Sequence, residues 1–219
     1  MHRETTPVSF MYVVARYNED VSWTKNLQNV TLYDKSDRPV PGSIPLKNVG
    51  READTYLRYI VDHYHDLPEF VVFLQGCPFD HMLGDNVERG FVRPSKASPF
   101  LARKTNEPVD NYKELYFREY YHLLFGYEYT EPVISCSYGA QWIVPRECIM
   151  HRPIQFYKRL LTMLQWNEDF SGGCRFYRKE TDDHDPQSRF DPFIINAWTL
   201  ERLWGYIFDP SVPTSNFFI

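Results

Sequence analysis

The sequence predicts an α/β fold: a single domain with a mostly parallel central sheet flanked by helices. Its N-terminal third alternates strand, strand, helix, strand, the order a parallel sheet with crossover helices requires. Phe70 to Leu74 (FVVFL) is a continuous apolar run between Leu67-Pro68 and Gln75-Gly76, as expected of a buried strand. The 219 residues, 43% hydrophobic and 24% charged, suffice for one sizeable core.

Each element has a local reason. Ser9 to Ala15 (SFMYVVA) is rich in strand formers and Val30 to Tyr33 (VTLY) repeats the signal. Pro39 to Pro45, with Gly42 between prolines, reads as a loop. From Ala53 the period turns helical, since Tyr56, Leu57, Ile60, Val61 and Tyr64 share one face. Leu67-Pro68 ends that helix. Met82 to Pro108 is polar and holds Gly84, Gly90, Pro94 and Pro99, so it reads as a long loop of the lid kind. Tyr112 to Phe125 is predicted helical and Ala140 to Val144 (AQWIV) a strand. Pro153 to Gln165 starts on proline and puts Phe156, Tyr157, Leu160, Leu161 and Leu164 on one side, which predicts a helix. Arg178 to Arg189 is polar and looped. Ile195 to Phe208 is the final predicted helix, with Leu200, Trp204 and Ile207 inward.

Composition narrows the function. Lys and Arg number 24 against 29 Asp and Glu, for a net charge of −5, so no overall field attracts nucleic acid or an anionic membrane. No stretch reaches the roughly 18 apolar residues of a membrane helix. The polar first residues lack a signal-peptide pattern, and Cys77, Cys136, Cys148 and Cys174 lack paired spacing; both features read as cytoplasmic. Aromatics reach 17%, which fills a core and also suits stacking on bases and sugar rings.

Three segments are placed where parallel sheets bind ligands, beyond the carboxyl ends of strands. Ala15, Arg16, Tyr17, Asn18, Glu19 and Asp20 follow the first strand; Tyr17 suits base stacking, and Arg16 and Asp20 suit phosphate, ribose or base contacts. The same residues also read as an ordinary polar loop. Asn48-Val49-Gly50-Arg51-Glu52 enters the Ala53 helix, and its glycine turn, free N–H groups and guanidinium suit a diphosphate. Glu52 and Asp54 equally fit a plain helix start. Gln75-Gly76-Cys77-Pro78-Phe79-Asp80-His81 follows the strongest strand, where a carboxylate and an imidazole suit a divalent cation. Asp182-Asp183-His184-Asp185 has ligand types too, though a solvated acidic loop accounts for it. Glu201 on the final helix reads as a cleft base or as a partner of Arg202. No Walker loop, G-x-G-x-x-G or H-E-x-x-H pattern occurs.

These segments carry a resemblance. Val13 to Asp20, Asn48 to Glu52 with Thr55-Tyr56-Leu57, and Phe73 to Gly76 with Pro78 to His81 resemble one small family, long catalogued as a domain of unknown function in fungi, algae and large viruses. Gln141 to Val144, Arg152-Pro153 with Phe156-Tyr157, and Glu201 to Trp204 with Ile207-Phe208 extend the resemblance along most of the chain. That family is similar to the GT-A class of glycosyltransferases. The resemblance implies a Rossmann-like GT-A domain over residues 1–219, with a nucleotide-sugar-binding half at 1–81 and an acceptor-side half at 109–219. It implies a UDP-sugar donor, Mn²⁺ or Mg²⁺ as cofactor, and a glycan or glycoprotein acceptor. Carried over by position, Ala15 to Asp20 hold the nucleoside, Arg51 faces the diphosphate, and Gln75 to Asp80 stand at the metal motif. Asp80 and His81 are then the metal ligands, with His184 a further candidate, and Cys77 stands where Asn or Asp is expected. Asp191 and Glu201 are the candidate bases. Tyr138, Trp142, Trp198 and Trp204 line an acceptor cleft or fill the core. Two rivals remain at this level: a non-catalytic nucleotide- or carbohydrate-binding module, and a metal-dependent phosphoryl-transfer or hydrolytic enzyme.

Overall fold

In the computed structural model, residues 9–79, 104–137, 140–165, 190 and 192–218 are described. Strands β1 (Phe10–Arg16), β2 (Val30–Asp34), β3 (Ile44–Pro45), β4 (Phe70–Gln75) and β7 (Trp142–Pro145) form one sheet in the order β3-β2-β1-β4-β7. Its first four strands are parallel, and β7 runs antiparallel to β4. Helices α1 (Arg51–His63), α4 (Ile154–Gln165) and α5 (Ala197–Ile207) pack with it, so the fold is mixed α/β with a mostly parallel central sheet flanked by helices. A second ribbon pairs β5 (Lys104–Pro108) with β6 (Val133–Ser137), and α2 (Phe117–Phe125) and the short α3 (Arg146–Met150) complete the labelled elements.

The apolar run of β4 is continuous because both faces of the sheet are covered. Val13, Val71 and Phe73 point into the main core with α1, α4 and α5. Tyr12, Val14, Phe70, Val72, Leu74 and Ile143 point the other way, against Val21, Trp23 and Leu27 around the short 3-10 helix Ser22–Asn26. On α1, Tyr56, Leu57 and Ile60 are fully buried, which accounts for the helical period read from the sequence.

Some boundaries differ from the sequence reading, each for a local cause. The expected loop Met82 to Pro108 ends in a strand, because β5 pairs along its whole length with β6; residues 80–103 lie outside the described residues. Ile44 and Pro45 pair with the end of β2, so the proline loop carries one short edge strand. The helix expected over Tyr112 to Phe125 is a 3-10 stretch, Val109–Leu115, then α2, separated by Tyr116 in the left-handed region (φ 50°). Strand β6 (VISCS) and helix α3 are too short to show a period and were not anticipated. Arg178 to Arg189 lies outside the described residues.

Candidate functional site

Parallel register decides what meets at the carboxyl edge of the sheet. Arg16 stands beside Asp34 across β1 and β2, and Ala15 beside Gln75 across β1 and β4. The Arg16 guanidinium is largely enclosed: Nη1 donates to Asp34 Oδ2 at 2.6 Å and to Ser36 Oγ at 2.9 Å, and Nε donates to the Glu19 carbonyl at 2.9 Å. Burial pushes the Asp34 carboxyl up, but hydrogen bonds from Ser36, Val40 and Arg16 outweigh it and hold it below the usual range. Arg16 therefore braces the loop that carries Tyr17. Tyr17, Asn18 and Asp20 are exposed on that loop, Tyr17 at 45%. Asp20 accepts from the Ser22 backbone and hydroxyl, which lowers its pKa.

The β1 and β4 loops are packed on each other. Glu19 Oε2 accepts from the Tyr17 and Asn18 N–H groups at 2.6 and 3.1 Å. A Cβ on Gly76 would lie 2.6 Å from that same oxygen, so glycine makes room for the Glu19 carboxylate. Trp23 Nε1 donates to the Gly76 carbonyl at 2.9 Å, and Gln141 Nε2 to the Pro78 carbonyl at 2.8 Å. Gln75 and Cys77 are partly exposed beside this contact, and Cys77 is a free thiol.

The entry to α1 is held from below. Lys35, on the residue after β2, donates through Nζ to the carbonyls of Val49 and Arg51 and to Asp54 Oδ2. Burial lowers the Lys35 pKa, against the opposing pull of Asp54. Asp54 is fully buried and also accepts from Arg58 Nε. Gly50 and Arg51 both adopt positive φ, 61° and 51°. After that double left-handed step the Arg51 side chain is 51% exposed, while the next residues of the first turn, Glu52 to Thr55, are buried.

Arg51 does not stand alone. Its Cζ lies 4.6 Å from the centre of the Trp198 ring on α5. Arg202, one turn further along α5, lies 5.6 Å from the same ring and 5.1 Å from that of Tyr112. Each guanidinium has a neighbouring carboxylate: Glu52 Oε2 at 3.6 Å from Arg51 Nε, and Glu201 Oε2 at 2.9 Å from Arg202 Nη1. Glu52, Glu201 and Arg202 are nearly buried, at 8%, 6% and 8% exposure. Burial opposes the charge on Arg202, but Glu201 and Tyr112 more than compensate, raising its pKa.

Residues 12–90 match the family described as a protein of unknown function, DUF3431. The matched stretch spans most of β1 and all of β2, β3, α1 and β4, and so includes Arg16, Arg51 and Gln75. No curated protein and no solved structure matches the chain.

Of the residues singled out in the sequence, Ala15, Arg16, Tyr17, Asn18, Asp20 and Gln75 lie at one edge of the sheet, and Arg51 lies at the start of α1. Glu201 joins Arg51 through the α1–α5 contact and pairs with Arg202 in a buried setting. Asp80, His81, Tyr138, the 182–185 cluster and Asp191 lie outside the described residues. Trp142 and Trp204, at 1% and 0% exposure, belong to the core, whereas Trp198 is half-buried beneath Arg51. Sequence reasoning missed Lys35 and Asp34, whose alternation at a strand end gives no signal until register pairs them. It also missed Glu52 as a member of the α1–α5 cluster, since a first-turn glutamate is ordinary in any helix.

Proposed function

We propose that this protein is a glycosyltransferase that moves a sugar from a nucleotide-diphosphate donor, a UDP-sugar, to a hydroxyl of a glycan or glycoprotein in the cytoplasm. The observation that carries the reading is the half-exposed Arg51 guanidinium at the left-handed entry to α1, with Tyr17 exposed on the neighbouring strand end. A half-exposed forked cation at a helix start suits a diphosphate, and a tyrosine ring suits a base. No described helix is long and apolar enough to cross a membrane.

In this reading Tyr17, Asn18 and Asp20 hold the nucleoside, and Ala15 and Gln75 form the floor beneath it. Arg16 acts indirectly, by bracing the loop on Asp34. Arg51 binds the diphosphate and stabilises the charge that grows on it as the glycosidic bond breaks. Glu201 or Asp191 accepts the proton of the attacking hydroxyl. Mn²⁺ or Mg²⁺ belongs to the proposal, with Asp80 and His81 as ligands. When bound, such an ion supplies Lewis-acid charge for the departing diphosphate.

A second reading, a non-catalytic nucleotide- or carbohydrate-binding module, is favoured by Cys77, a thiol where the resemblance implies Asn or Asp. Thermal shift with UDP, UDP-sugars, GDP-sugars and dTDP-sugars, with and without Mn²⁺, tests both. A ligand at about 100 times its Kd raises stability by about 2.7 kcal/mol. A manganese-dependent rise with UDP and measurable transfer is the expected result. Binding that ignores chelator and yields no turnover leaves the module, and no shift with any nucleotide overturns the donor site.

A further inference from the structure

We infer that the charge cluster between α1 and α5 is a subsite for a neutral, hydroxyl-rich ring, with Glu52 and Arg202 as its specificity-determining residues. It rests on the donor reading above and assigns the sugar of that donor a place beside Arg51.

Charge balance is the first argument. Arg51 and Arg202 face Glu52 and Glu201, so the four charges cancel. The other ionisable groups around Arg202 do not alter that balance in favour of an anion. Tyr112 and Cys136 are neutral, burial having pushed the Cys136 thiol up to about 11, and Glu107 adds a further negative charge. A phosphate deep in this cluster meets two carboxylates, whereas a sugar hydroxyl donates to a carboxylate and accepts from a guanidinium at once.

Unmet hydrogen-bonding capacity is the second, independent argument. Among the described residues, Nε and Nη1 of Arg202 are buried without a well-directed hydrogen bond, although Nη1 is ion-paired with Glu201 at 2.9 Å and Tyr112 also engages the guanidinium. The Tyr56 hydroxyl, near Glu52 and Glu201, is also buried without a hydrogen-bond partner among the described residues. Native proteins pair such groups with protein atoms, ordered water or a ligand, and the oxygen atoms of a bound sugar would supply the missing acceptors. The Trp198 ring is occupied by cations, so the sugar is held by its hydroxyls rather than by stacking on that ring.

Calorimetric titration with UDP, UDP-glucose, UDP-galactose and UDP-glucuronate in Mn²⁺ tests the assignment. In the unmodified protein, the neutral hexose donors bind more tightly than UDP, and UDP-glucuronate gains less because its carboxylate meets Glu52 and Glu201. Glu52→Gln and Arg202→Lys, each with its fold checked by circular dichroism, reduce the advantage of the hexose donors over UDP about tenfold and leave UDP itself within about twofold. Equal weakening of UDP and UDP-hexose makes the cluster an anion site and overturns the inference, as does no effect of either variant. Absence of any nucleotide binding to the unmodified protein overturns the donor reading instead. The subsite is then judged with free glucose, galactose and mannose by saturation-transfer NMR: a signal lost in Glu52→Gln supports it, and no signal overturns it.

Discussion

At the scale of single residues, Gly50 shows how tightly the α1 entry is specified. Its φ of 61° is one that side-chain-bearing residues adopt at a cost, and a Cβ there would lie 2.7 Å from Leu164 Cδ2 and 2.9 Å from Asp54 Cβ. Conformation and space thus demand glycine together. Gly50→Ala is expected to lower stability by about 2–4 kcal/mol, read as a shift in the urea midpoint. It should also displace Arg51, weakening any diphosphate ligand. A midpoint within error of the unmodified protein would show that neither constraint holds. The sequence made this glycine legible as a turn before a helix. It did not show the second reason, because Leu164 is distant in the chain and meets Gly50 only when α4 packs on α1.

At the scale of elements, the junction of α3 and α4 holds the C-terminal end of α5 in place. Arg152 is fully buried and donates to the carbonyls of Tyr206, Ile207, Val212 and Pro213 and to the Thr214 hydroxyl. Phe125 and Phe156 flank its guanidinium at 4.9 Å, and burial lowers its pKa to about 10. The last carbonyls of a helix carry partial negative charge, so a cation there satisfies acceptors that the helix itself leaves unpaired. The neighbouring His151 feels the consequence. Its Nδ1 lies 2.7 Å from the Cys148 carbonyl and its Nε2 is buried without a partner among the described residues, which fits the neutral ring that donates from Nδ1. Burial, with the nearby Arg152 charge, lowers the His151 pKa below its ordinary 6.5. The unfolded chain then binds the proton more readily than the folded one, so stability falls as pH drops through 6.5 towards the lower folded value. Melting temperatures at pH 7.5 and 5.5 should differ less in His151→Asn, whose amide reaches the Cys148 carbonyl but does not titrate. An unchanged pH difference would remove His151 as a cause. The sequence marks Pro153 as a helix start and Arg152-Pro153 as part of the resemblance, but no role for Arg152 is legible there; it depends on acceptors more than fifty positions away.

At the scale of the whole molecule, one core joins both ends of the chain. Val13 and Phe73 of the sheet share a cluster with Tyr56 and Leu57 of α1, Leu160 of α4, Trp204 of α5 and Phe218 near the end. Phe208 is stacked against Trp204 at 5.3 Å and against Phe73 at 6.2 Å, tying α5 directly to β4. Strand β7, from the C-terminal half of the sequence, completes the sheet begun by β1. Unfolding in urea is therefore expected as one transition, coincident by far-ultraviolet circular dichroism and tryptophan fluorescence. Two separated transitions would show that the halves are independent.

What the sequence determined by itself was local and periodic. The buried run of β4, the amphipathic faces of α1 and α4, and the loops after β1 and before α1 were all legible, because side-chain periodicity and turn chemistry act over a few residues. Only the tertiary structure decided that Arg16 is bound to Asp34, that Glu201 is paired and buried, and that Arg51 and Arg202 share one tryptophan ring. Those outcomes depend on strand register and on which helix faces meet, and such pairings between distant segments leave no period in a single chain.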